Sequence, residues 1–148
     1  MTLYKTQIEG VWMSESILVF DPGESTGWVF LDREGRLIGG TCPKDHLAVA
    51  SLILGYQPDI IVLERFNLYP GMAKSLSWNS FYPVEVIGVI KYLCMLKGIP
   101  MVEQAPSIKK YAGGFQDDWL KLKGSRGITE HTKDAYLHLK YYLRHKKE

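Results

Sequence analysis

An α/β fold, built on a mixed five-stranded sheet flanked by helices, is predicted by three observations. Three short apolar runs near the start, separated by turn residues, read as an antiparallel meander. A uniformly apolar segment, Ile60 to Leu63, reads as a strand covered on both faces, the pattern of parallel pairing inside a sheet. Helical patterns then alternate with the remaining strands, which places helices against the sheet.

Element by element, Ile17 to Phe20 is the first apolar run and Trp28 to Leu31 the second. Asp32-Arg33-Glu34-Gly35 supplies turn chemistry before a third strand, Arg36 to Gly39. Leu47 to Leu54 carries its apolar residues on one helical face, and Pro58 restarts the chain into Asp59 to Glu64. This strand is expected centrally, beside the first. Residues 66 to 78 read as a loop rich in aromatic, Pro, Gly and Ser residues. Asn79 or Ser80 then caps a long helix that carries Pro83 in its first turn and ends at Gly98-Ile99-Pro100. Met101 to Glu103 is a short strand, Pro106 to Tyr111 a short helix, and Gly113 to Gly127 a polar, glycine-bearing segment. The last helix runs from about Glu130 to Arg144.

With 148 residues, 46% of them apolar, the chain suits one compact core and is read as a single domain over 1–148, with 1–16 as an N-terminal extension. No stretch is long and apolar enough for a spanning helix, and Met1 to Ser16 lacks the pattern of a secretory signal, so a cytoplasmic location is expected. Cys42 and Cys94 lack metal or disulfide spacing and read as buried thiols. A net charge of +2 identifies no partner by itself, because phosphate binding depends on how Lys and Arg cluster.

Candidate functional residues lie at element boundaries. Asp21 ends an apolar strand, and Pro22-Gly23 turns the chain so that its carboxylate is left at the sheet edge, where it can face a metal. Gly23 and Gly27 allow close backbone approach, and Ser25 and Thr26 could donate to a phosphate. The same residues also make ordinary hairpin punctuation. Glu64 sits at the carboxyl end of its strand, where open α/β sheets place ligand-binding groups, although pairing with Arg65 explains it equally. His131 and Asp134, three apart, share one helical face and can address one ion. The alternatives are that His131 caps the helix and that Asp134 pairs with Lys133 or Lys140. Ala135 is small enough to let this helix press closely on the sheet. His138, one turn beyond Asp134, lies on nearly the same face and could join the site, although distance along the axis argues against direct ligation.

Taken in order, Asp21-Pro-Gly with Thr26-Gly27, then Glu64, then His131 and Asp134-Ala135 resemble the RNase H-like, or retroviral-integrase-like, superfamily. Within it the chain most resembles the RuvC-type Holliday junction resolvases, shorter phage forms included. Pro106 with Lys109 or Lys110 echoes a Pro-to-Lys segment of that family, and His131 to Leu137 also looks like the last RuvC motif of RNA-guided nucleases. The element order covers roughly residues 17 to 145, while identity is confined to the short motifs. The glycine-rich, lysine-bearing segment of the family is only partly present, as Gly113-Gly114 and then Lys121, Lys123 and Gly124. Asp117-Asp118 in that segment reads as a solvated acidic turn.

The resemblance implies a Mg²⁺-dependent endodeoxyribonuclease that resolves four-way junctions by hydrolysing paired phosphodiester bonds. Two Mg²⁺ ions would be held by Asp21, Glu64, His131 and Asp134, with Asp21 bridging both and Mn²⁺ able to substitute. His131 stands where some family members carry a carboxylate, and would ligate an ion or orient the attacking water.

Branched DNA is the expected partner. Lys133, Lys140, Arg144 and Lys147 fall along one side of the final helix, and with Lys109, Lys110, Lys121, Lys123 and Arg126 they form the candidate DNA-binding set. A solvated helix face explains the stripe as readily. Phe66, Tyr69, Trp78, Phe81 and Tyr82 could stack on unpaired bases, or simply pack. The pseudo-twofold symmetry of a junction implies a homodimer, with Phe81, Val84, Ile87, Gly88, Tyr92 and Met95 as the candidate contact stripe, although such a stripe is more often core than interface. Three rivals stand beside this reading. An actin-like ATPase would need a second lobe, and a silent DNA-binding relative would lose the acids. A related nuclease acting on flaps, branched DNA or RNA/DNA hybrids would share the chemistry.

Overall fold

A computed structural model describes residues 15–66 and 81–146, together with the backbone of 4–5 and 12–13. The chain order is β1 (Tyr4–Lys5), β2 (Trp12–Met13), β3 (Ile17–Asp21), β4 (Thr26–Leu31), β5 (Leu37–Cys42), α1 (His46–Tyr56), β6 (Ile60–Glu64), α2 (Tyr82–Lys97), β7 (Met101–Gln104), a 3-10 helix (Pro106–Tyr111), α3 (Asp117–Leu122) and α4 (Glu130–Lys146). β1 and β2 pair with each other, and the other five strands form one sheet in the order β5-β4-β3-β6-β7. The first three are an antiparallel meander, and β3-β6 and β6-β7 are parallel, as the sequence predicts.

Alternation along the strands divides the core into two layers. Ile17, Val19, Val29, Leu31, Ile60 and Val62 face α4, which contributes Ala135, Tyr136, Leu139 and Leu143. Leu18, Phe20, Phe30, Ile61 and Leu63 face the other way, against Val49 and Ile53 of α1 and Val86, Ile90 and Cys94 of α2. Cys42 and Cys94 are buried free thiols, and burial pushes both up to about 11.

Local chemistry sets the boundaries. Gly35 takes a left-handed φ of 86° in the β4-β5 turn, where the Asp32 carboxylate accepts from the Glu34 and Arg36 amides. Asp45 caps α1 by accepting from Leu47 N, and Gly98, with φ 68°, ends α2. The proposed caps Asn79 and Ser80 lie outside the described residues. At the amino ends of β3 and β6, Asp59 accepts from the Ser16 amide at 2.8 Å and from Arg33 at 2.6 and 2.9 Å, which ties the two strands in register.

The polar segment from Gly113 to Gly127 holds more order than its composition suggests. Asp117-Asp118 open a short helix, α3, and Trp119 anchors it by stacking on Tyr136 at 5.1 Å. A single buried aromatic organises the segment, a signal too sparse for periodicity to reveal. Among the described residues no helix is long and apolar enough to cross a membrane.

The seat of α4 fixes the geometry of the whole face. Thr129 caps it: the His131 amide donates to Thr129 Oγ1, and the Thr129 amide donates to Thr132 Oγ1. Thr132 also donates to the Gly40 carbonyl at 2.9 Å, which fastens the first turn to β5. Beneath that turn lies Gly27, where a Cβ would come 2.0 Å from the His131 carbonyl carbon and 2.1 Å from its oxygen. Backbone therefore touches backbone. Gly27→Ala should force the helix outward and lower unfolding free energy by about 1–3 kcal/mol or more, measured by urea denaturation.

Candidate active site

Because β3 and β6 are parallel neighbours, their carboxyl ends share one edge of the sheet. Asp21 ends β3 and Glu64 ends β6, and alternation puts both side chains on the α4 face. Asp21 lies opposite Gly27, the residue on which α4 rests. The seating of the helix therefore delivers His131 and Asp134 to the same edge. His131 Nδ1 is 3.5 Å from Asp21 Oδ2.

Lys109 completes the cluster. From the 3-10 helix its Nζ reaches 3.2 Å from Glu64 Oε2 and 3.4 Å from Asp134 Oδ2. The sequence reading placed Lys109 among the DNA-binding residues near the site, and here it pairs with two site carboxylates. The four predicted site residues thus meet at one sheet edge, Glu64 and Asp134 bridged by the ammonium of Lys109 and His131 lying beside Asp21.

Charge crowding shows in the carboxyl groups. Asp21 is only 4% exposed, and burial, followed by the negative charges of Glu64 and Asp134, pushes its carboxyl up to about 8. Burial acts the same way on Glu64, but the hydrogen bond and charge of His138, with Lys109, outweigh it and hold this carboxyl below its ordinary range. On Lys109 the carboxylates likewise outweigh desolvation and hold its ammonium above its ordinary range.

His138, which the sequence reading allowed to join the site without ligating directly, does reach it. It is fully buried, with Nε2 2.6 Å from Glu64 Oε2 and Nδ1 2.7 Å from Gln104 Oε1. Its spacing after Asp134 was the available signal. The axial distance that argued against ligation is spanned by reaching back to Glu64 on the sheet.

Among the described residues no three His, Cys, Asp or Glu side chains already stand as a coordination shell, and the Lys109 ammonium lies between Glu64 and Asp134. The donor set still fits a hard divalent cation. Three carboxylates and an imidazole converge, hard oxygen donors with one nitrogen, and burial together with the negative charges of Glu64 and Asp134 pushes Asp21 toward protonation.

The candidate DNA-binding set divides. Lys110, Lys121 and Lys123 are exposed, and Lys133 is half-buried, 3.6 Å from Glu130 and over the Phe115 ring. Lys140 is fully buried, contrary to the expected surface stripe. It sits one turn after Tyr136 and three residues before Leu143, on the face that packs inward. Arg144 donates to the Tyr111 carbonyl at 3.1 Å and lies against Gly113, so its guanidinium holds the 3-10 helix region to α4. Lys147, Tyr69 and Trp78 lie outside the described residues. Tyr82 is buried in the core, while Phe66 and Phe81 pack edge to face at 4.9 Å. Thr26 is fully buried, which rules it out as a surface phosphate donor.

The Asp21 carboxyl yields a stability test. With its folded value near 8 and its ordinary value at 3.8, the folded protein holds a proton that the unfolded chain releases. Metal-free protein should therefore lose stability as pH rises from about 4 to 8. Thermal melts in EDTA across this range should show that slope, and Asp21→Asn should flatten it.

No protein-family model and no curated protein matches the chain. Solved structures do. A Thermus thermophilus RuvC in complex with Holliday junction substrate superposes with a TM-score of 0.67 at 15% identity, covering 89% of this chain and 94% of that one. The Fowlpox virus resolvase in complex with Holliday junction DNA gives 0.55 at 15% identity, covering 90% and 99%. The yeast mitochondrial Holliday junction resolvase gives 0.52 at 8% identity, covering 93% and 81%. On this evidence the chain has the fold of the RuvC-type Holliday junction resolvases.

Proposed function

We propose that the protein is a structure-selective endonuclease that resolves four-way DNA junctions by metal-dependent hydrolysis of paired phosphodiester bonds. The observation that carries this reading is the meeting of Asp21, Glu64, His131 and Asp134 with Lys109 at one sheet edge. Two of the proteins that share its fold, the RuvC and the Fowlpox virus resolvase, are bound to Holliday junctions.

In this reading Asp21, Glu64 and Asp134 would hold two Mg²⁺ ions, with His131 as a further ligand or as the group that orients water. Bound Mg²⁺ supplies Lewis-acid stabilisation of the phosphate and a water of lowered pKa. The chain's own groups do the rest. Asp21 releases its proton as the site fills, so binding strengthens with pH up to about 8. His131, its side chain 43% exposed and its ring beside Asp21, faces solvent on one side and can accept a proton from an attacking water. Lys109 balances Glu64 and Asp134 in the absence of metal and is placed to turn toward a bound phosphate. Exposed Lys110, Lys121 and Lys123 supply further attraction for a phosphate backbone.

The paired cuts call for a twofold dimer. On α2, Val84, Tyr92 and Met95 are exposed, Met95 at 76%, and a Cβ at Gly88 would meet nothing within 4 Å. These four share one helical face, on which a second copy could lie.

Two experiments test the reading. Purified protein should cleave a four-way junction symmetrically with Mg²⁺ and not with EDTA, while Asp21→Asn should bind the junction yet cut it at least about a thousandfold more slowly. Preference for a flap or an RNA/DNA hybrid would instead identify a related nuclease. Separately, ultracentrifugation should show a dimer that Gly88→Arg with Tyr92→Glu converts to folded monomer, with loss of paired cutting.

A further inference from the structure

We propose that His138, backed by Gln104, is a positioning residue that fixes the Glu64 carboxylate for divalent-ion binding, an inference that rests on the metal-dependent reading of this site. Glu64 ends β6, and Gln104 lies directly opposite it on β7. His138 projects from α4 and meets both: Nε2 is 2.6 Å from Glu64 Oε2, and Nδ1 is 2.7 Å from Gln104 Oε1. A strand end, its neighbour and the covering helix are thereby joined through one ring.

The geometry points to orientation. Glu64 is partly exposed at the site, its side chain 14% accessible, and a glutamate in that position can rotate about its own bonds. A short hydrogen bond from a fully buried ring removes that freedom, and Gln104, itself buried, removes the freedom of the ring. Both the imidazole and the Lys109 ammonium approach the same oxygen, Oε2, so the carboxylate is held from one side. Partners of this kind behind a metal-binding carboxylate typically change ion affinity by about 10–100-fold when removed. A ring serving only to fill the core would need neither the contact to Glu64 nor the polar partner behind it. Leu139 and Leu143 on the same helix show that apolar side chains fill the core beside it.

The test measures Mn²⁺ binding to the full chain by calorimetry, beside junction binding in EDTA and junction cleavage. His138→Leu should weaken Mn²⁺ binding by about tenfold or more. His138→Gln, whose amide can donate from near the Nε2 position, should recover most of that loss, and Gln104→Leu should show a smaller one. Junction binding in EDTA should be the same in all four proteins. Mn²⁺ affinity unchanged in His138→Leu would overturn the proposal, as would failure of His138→Gln to recover it in a protein that melts like wild type. Should His138→Leu not fold, Gln104→Leu and His138→Gln decide: wild-type affinity in the first with lost affinity in the second overturns the role. Wild-type protein that binds Mn²⁺ but cuts no junction would end the resolvase reading alone, and the variants' affinities would still judge His138.

Discussion

The close approach of α4 to β4 at Gly27 is the constraint on which the site depends. A helix of ordinary side chains stands well off a sheet, yet here the His131 backbone lies where a Cβ on residue 27 would sit. Thr129 and Thr132 hold that seat by capping the helix and by bonding to β5. Only at this separation does an imidazole from the first helical turn lie beside Asp21, and only then does Asp134 come within reach of Lys109. Close backbone approach, which the sequence offers for Gly27, is the use the fold makes of it, and this glycine is the floor of the site.

Electrostatics make the second layer of organisation. Three carboxylates at one edge repel, and the chain answers with Lys109 and His138 on Glu64 and with a raised affinity for a proton on Asp21. The two strand-end acids respond in opposite directions because their partners differ. Glu64 has donors on its oxygen, whereas Asp21 is more deeply buried and faces like charge. A cluster in this condition is stabilised by added positive charge, which is what a divalent cation would bring.

Much of this was legible in the chain itself. Short-period apolar runs located the strands, and the strand-end position of Asp21 and Glu64, with His131 and Asp134 three apart, named the residues that the fold brings to one sheet edge. What escaped detection depends on tertiary contacts. Lys140 reads as a surface cation because a helical stripe does not say how far the buried face extends, and on α4 it extends to that residue. Lys109 and Arg144 read as basic surface because sequence does not show which cations meet protein acceptors. Gln104 carries no motif at all, and only the fold sets it opposite Glu64 and against the His138 ring.

The register that Asp59 fixes with Ser16 and Arg33 has a consequence for how errors in folding would be felt. Ile17, Val19 and Asp21 point the same way because the strand repeats every two residues, as do Ile60, Val62 and Glu64. Slippage of β3 or β6 by one position would turn its acid to the opposite side of the sheet together with its apolar residues. Proofreading of the hydrophobic interior is therefore also proofreading of the chemistry: a chain that has buried the right isoleucines and valines has, by the same pleat, already aimed its carboxylates.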